Sequence, residues 1–345
     1  MTTVSERAGR PAADGTAGPD PGVPRILPSG WGRLVSRRAR LGDRAFRGAS
    51  AAAGALVLLV MAAIAVFLVY RAVPALRADR ANVLTEQQWD PDGTPSRFGI
   101  AATLYFTVVT SAIAMVLAVP LAIGSAVFIA YYAPRRLREG MGYAVELLAA
   151  VPSIVYGLWG FTFLAPHLTG VVEWLSRWFG WTVILRYRPE NQPNSFSPMG
   201  AGVLLAIMIL PIISAISREA FQRVPPDQLE AALALGATRA EMIRLAVLPH
   251  GRSAVMSASI LGLGRALGET LAVTMLLSTA YHISLHITET GGVTFASVIV
   301  LKYGEAGEIG TGALIAAGLC LFVLTATVNF IANAIVGRHR VEGTR

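Results

Sequence analysis

A chain of 345 residues that is 54% hydrophobic and 14% charged, with a mean hydropathy of +0.56, is too apolar for a soluble globular domain. Its net charge of +8 is almost wholly arginine, Lys302 being the only lysine, and the arginines gather beside apolar runs, as in membrane proteins rather than nucleic-acid-binding ones. The single cysteine, Cys320, lies inside an apolar run and leaves no room for a disulfide framework or a CxxC metal site.

Residues 1 to about 30 are rich in Gly, Pro, Ala and Asp and have too few large apolar side chains to bury a core. Arg33, Arg37, Arg38, Arg40, Arg44 and Arg47 follow. The expectation for 1–48 is a disordered, basic, cytoplasmic segment. It is not a signal peptide, because the apolar run after it is too long and too far from the start.

Six apolar runs are each about long enough to span a bilayer: 51–70, 100–130, 143–164, 201–216, 253–277 and 313–336. The second holds Pro120 and the short fourth holds Pro211. Basic residues mark one face of the membrane: the N-terminal arginines, Arg135, Arg136 and Arg138, then Arg218, Arg223, Arg239, Arg244 and Arg252, then Arg338 and Arg340. By the positive-inside rule this face and both termini are cytoplasmic. The expected fold is all-α and integral to the membrane, with 49–340 as its transmembrane domain. Residues 71–99, 165–200 and 278–312 fall outside. There Val171–Trp181 carries the tryptophans of an interfacial helix, 186–198 reads as loop, and Phe295–Leu301 suggests a short helix.

Between the fourth and fifth runs, 226–249 is a polar interruption. Pro225 and Pro226 open a helix, Gly236 sits where a left-handed C-terminal residue is needed, and Thr238-x-x-Glu241 is a capping box for a second helix that Pro249 ends.

The fifth run contains Arg265, Gly268, Glu269 and Thr270 near its middle, where a charge is costly. Arg265 and Glu269 are four apart and face each other along one helix face. Two readings stand: a self-neutralising pair that fixes packing, or a pathway for a charged solute, with arginine suited to an oxyanion. Gly262, Gly264 and Gly268 allow close helix approach. Thr103, Thr107 and Thr110 share a face of the second run, where they line a polar path or bond to backbone. Glu146 near the third run reads as a paired or snorkelling carboxylate. His282 and His286 have i, i+4 spacing but no accompanying ligand cluster, and no G-x-x-x-x-G-K-[ST] occurs.

Glu230-Ala231-Ala232, three residues, Gly236, nine residues, Ala246, then Leu248-Pro249 resembles the EAA signature of ABC importer permeases, with Ala246 where the family has Ile. The runs VPSIVYGLWG (151–160) and GLGRALGET (262–270) are similar to motifs of the PstC-type permeases of the phosphate-specific importer. The resemblance covers about residues 50–340. It implies six spans in the type I ABC importer permease fold. It also implies that Glu230, Ala231, Ala232, Gly236, Leu248 and Pro249 dock on a separate ATPase, and that Arg265, Glu269 and Thr270 serve phosphate passage. The implied partners are a second, PstA-type permease, a PstB-type ATPase dimer carrying the ATP and Mg, and an external PstS-type phosphate-binding protein. The implied location is the bacterial cytoplasmic membrane. No cofactor or metal is expected on this chain and no catalysis. A permease for sulfate or molybdate remains open, and so does a secondary transporter, although no inverted repeat is visible.

Overall fold

The computed structural model describes residues 31–186 and 196–342. The expected loop at 186–198 and the first thirty residues of the expected disordered segment lie largely outside them. From Trp31 the chain is helical: α1 (Trp31–Ala78) takes in the basic stretch, since no proline occurs before Pro74 and the composition favours helix. Residues 1–62 and 63–345 form two compact units. In the first, every described side chain, 43–62, is exposed. The second holds all elements after α1.

Among the described residues five helices are long and apolar enough to cross a membrane: Asp43–Ala78, Ala101–Tyr132, Ser153–Phe179, Pro198–Gln222 and Glu308–Ala334. Helix α2 (Ala101–Val127) continues into a widened π turn, Phe128–Tyr132. The third expected run is divided. An amphipathic helix, α3 (Arg135–Ala150), stops at Val151, which Pro152 forces into the extended region, and the spanning helix starts only at Ser153. That helix comprises α4 (Ser153–Trp159), a π turn (Gly160–Leu164) and α5 (Ala165–Phe179). Trp174 and Trp178 therefore belong to the end of this long helix and not to a separate interfacial one. The fourth, α6 (Pro198–Gln222), is longer than expected at both ends. Ser197 accepts from the Gly200 amide and Pro198 takes the first helical turn, and the helix runs through Pro211.

The fifth expected run, 253–277, is two helices rather than one. Helix α9 (Leu248–Gly268) ends where Glu269 turns extended (φ −68°, ψ 129°), and α10 (Leu271–Leu276) follows after Thr270. Helix α11 (Phe295–Lys302) is the short helix expected in 278–312. Its first turn is capped by Thr294, and the Phe295 amide donates to Thr107 Oγ1 at 3.1 Å. Helix α12 (Glu308–Glu342) closes the chain. At its first turn Asp92, from the 79–100 segment, accepts from the Gly307 and Gly310 amides at 2.8 Å each.

Helix α2 lies along α6, and α6 along α9. The buried stripe of α2 is nearly all small: Thr103, Thr107, Thr110, Ser111, Ala114, Ala118, Ala122 and Ala126. Lipid is as apolar as a leucine side chain, so helix association in a bilayer depends on close packing, which small residues permit. The three threonines turn their hydroxyls back to the carbonyls of Ile100, Thr103 and Phe106, so they satisfy backbone and line no path. Ser125 and Ser214 bond across the α2–α6 contact at 2.8 Å. At Gly202 of α6 an added Cβ would lie 2.6 Å from Ile113 Cγ2 and 3.2 Å from the Thr110 carbonyl oxygen. Gly202→Val is expected to cost roughly 1–3 kcal/mol in detergent unfolding. Gly124→Ala, where nothing lies within 4 Å, is expected to be neutral or slightly stabilising.

Candidate functional site

Two regions bear on function. The first is the polar interruption. Helix α7 (Pro226–Ala234) starts with proline at its first position and Asp227 in its first turn, where an anion complements the helix dipole. It ends in a Schellman arrangement. Gly236 has φ +84°, its amide donates to Leu233 O (2.9 Å), and the Ala237 amide donates to Ala232 O (3.1 Å). Helix α8 (Arg239–Met242) opens with the expected capping box, the Thr238 amide donating to Glu241 Oε2 at 2.7 Å and the Glu241 amide to Thr238 Oγ1 at 3.3 Å. These bonds from Thr238, amide first and hydroxyl second, hold the Glu241 carboxyl below its usual range.

Pro249 does not end this helix. A π turn, Ile243–Val247, carries α8 straight into α9, and Pro249 falls in the first turn of α9. The widened turn absorbs the amide that proline lacks.

One face of the pair is anchored. Met242, Ile243 and Val247 are buried with Ala126, Ala130, Phe221 and Val224, the ends of α2 and α6. The other face is bare: Glu230, Ala231 and Gly236 are exposed, and Leu235 is 89% exposed. A cleft of about 760 Å³ opens here, lined by Ala232, Leu235, Gly236, Glu241, Ala246 and Pro249 among others. Ala246, the one departure from the EAA pattern, is thus on its wall. Leu248 is half-buried against the anchored face.

The second region is the break in α9–α10. The expected face-to-face pair of Arg265 and Glu269 does not form, because the helix ends between them. Glu269 is 9% exposed and turns to α10, accepting from the Ala272 amide at 3.4 Å. Thr270 bonds locally, to Gly268 O, and its carbonyl accepts from Thr274. Arg265 points the other way. It is exposed and lines a cavity of about 660 Å³ with Ile212, Ser257, Ile260, Leu261, Gly264, Asn329 and Asn333. Of the three glycines only Gly262 packs closely, an added Cβ lying 2.8 Å from Ile213 Cδ1; Gly264 and Gly268 face open space. Asn329 and Asn333 escaped the sequence reading. The available signal was two carboxamides one turn apart in an apolar run.

Glu146 pairs with Arg218, tying α3 to α6. Gly157 brings α4 against α10, an added Cβ lying 2.8 Å from Ala272 Cα. His286 lies 3.7 Å from Glu289.

Long apolar helices packed through small residues, with an exposed helix pair anchored on their ends, describe a helical integral membrane protein. Residues 118–341 match the family model of the binding-protein-dependent transport system inner membrane component, and the chain belongs to that family. It is 48% identical over 303 residues to the Mycobacterium tuberculosis phosphate transport system permease protein PstC 2, covering 87% of this chain and 94% of that one. It is 46% identical over 318 residues to the Mycobacterium leprae phosphate transport system permease protein PstC, covering 92% and 98%. The crystal structure of a bacterial ABC transporter involved in alginate import contains a chain of similar fold, with a TM-score of 0.50 and 21% identity over 69% of this chain and 78% of that one.

Thr238→Ala removes the cap of α8. Amide exchange across 237–243 is expected to rise about fivefold, the equivalent of one lost N-cap, while exchange in α6 is unchanged.

Proposed function

We propose that this chain is one of two permease subunits of an ATP-driven importer that carries inorganic phosphate across the bacterial cytoplasmic membrane, with both termini inside. The observation that carries this reading is near-full-length likeness to phosphate transport permeases. A PstS-type binding protein delivers phosphate outside, a PstA-type permease supplies the other wall of the path, and a PstB-type ATPase dimer, holding ATP and Mg, drives the cycle.

The bare face of α7 and α8, with Glu230, Ala231, Ala232 and Gly236, seats on the ATPase. Leu248 and Pro249 join that pair to α9. Because the opposite face is packed on the ends of α2 and α6, movement of the ATPases passes to the spans rather than to a loose loop. Arg265 meets the anion. Its planar fork donates to two oxygens at once. Glu269 does not restrain it; that carboxylate holds the start of α10, and so fixes where α9 stops and where Arg265 stands.

In proteoliposomes holding the assembled complex, Arg265→Gln is expected to lower phosphate uptake by at least about tenfold, the loss of charge-assisted bonds to the anion, with ATPase subunits still bound. Uptake at the wild-type rate would remove Arg265 from the path. Excess sulfate or molybdate is expected not to compete; strong competition would favour the wider oxyanion reading. Gly236→Val places a β-branched residue at φ +84°. It is expected to reduce recovery of the ATPase subunit with the membranes. Full recovery together with full transport would count against the docking role.

A further inference from the structure

We infer that Asn329 and Asn333 of α12 bind the translocated anion beside Arg265, and that their carbonyl oxygens select an oxyanion that carries a hydroxyl. This rests on the phosphate reading above. The two carboxamides sit one turn apart on one helix face and line the same cavity as Arg265, which reaches it from α9. Among the described residues none of the three side chains has a hydrogen-bond or ion-pair partner. Amides left unpaired in a span are costly, and in a bundle they are ordinarily bonded to a neighbouring helix. Here they are turned to a cavity, half-buried at Asn329 and exposed at Asn333.

The chemistry of the three groups is complementary. A guanidinium only donates, so it serves unprotonated oxygens alone. A carboxamide donates through its N–H groups and accepts through its carbonyl. Phosphate near neutral pH has both kinds of oxygen, P–O⁻ and P–OH. Two asparagines and one arginine therefore satisfy it fully, whereas sulfate, without a hydroxyl, leaves the amide carbonyls facing negative charge. The amides are neutral and add no further attraction of charge, so the anion is held weakly enough to leave.

The test uses the assembled complex in proteoliposomes with its binding protein and ATPase, and reads radiolabelled phosphate taken up per ATP hydrolysed. The double variant Asn329→Leu, Asn333→Leu is expected to keep ATP hydrolysis while phosphate delivered per ATP falls about tenfold, as for lost bonds to a charged ligand. A purely structural role would lower hydrolysis and uptake together, leaving their ratio unchanged, and that result overturns the inference. Asn329→Asp, nearly isosteric, sets a second anion beside the first and is expected to lower the ratio by a similar factor. An unchanged ratio there also overturns it, and covers the case in which the leucine pair does not assemble. If the wild-type complex takes up no phosphate, the reading of the chain as a phosphate permease fails and takes the inference with it. If wild type transports and the variants match it, only the inference fails.

Discussion

The α2–α6–α9 packing rests on one constraint: in a bilayer, helices gain nothing by hiding apolar surface from lipid. What holds them is close fit. Helix α2 therefore presents alanine and back-bonded threonine, α6 presents Gly202 and Ser214, and α9 presents Ala258, Gly262 and Ala266. The hydroxyls that look like a polar path in the sequence are instead the means by which polar side chains become small and silent. On α2 the large apolar residues Val116 and Leu121 face outward, while the large side chains of α6, such as Leu204, Ile209 and Ile213, are buried.

Close packing gives the α7–α8 helix pair something rigid to stand on. Phe221 fills the space beside Gly251, where an added Cβ would lie 2.4 Å from its ring, and Tyr131 donates to the Phe221 carbonyl at 2.7 Å. The end of α6 is thereby fixed against both α2 and α9. Met242, Ile243 and Val247 press on that junction. Helices α7 and α8 thus bear on the junction of α2, α6 and α9 at one point.

Much of this was legible because local rules decide it. The Gly236 turn, the Thr238–Glu241 box and the proline start of α7 depend on neighbours in sequence, and each appears in the structure. The spans near 100–130, 201–216 and 313–336 were legible because apolar length decides them. What was not legible depends on context. Tyr143–Ala150 is apolar enough to look like the start of a span, but Pro152 divides it, and the partner of its Glu146, Arg218, lies 72 residues away. The sequence around Arg265 and Glu269 fits an unbroken helix, whereas in the structure the break sets α10 against α4, where Gly157 meets Ala272, and against α6. Asn329 and Asn333 gain meaning only when α12 meets α9, a contact between elements some seventy residues apart.

The separation of Arg265 from Glu269 also bears on the chain's fate before assembly. A helix that carried both charges as a pair would be neutral to its surroundings. With Glu269 turned inward, Arg265 leaves a bare cation on an open flank, a burden of roughly 2.5–3.5 kcal/mol at the centre of a bilayer. On the function proposed above, an orphaned copy would hold that burden alone, and a copy seated against a companion subunit would turn it toward a shared, hydrated passage. On that reading the same side chain would tie completing the complex to completing the path.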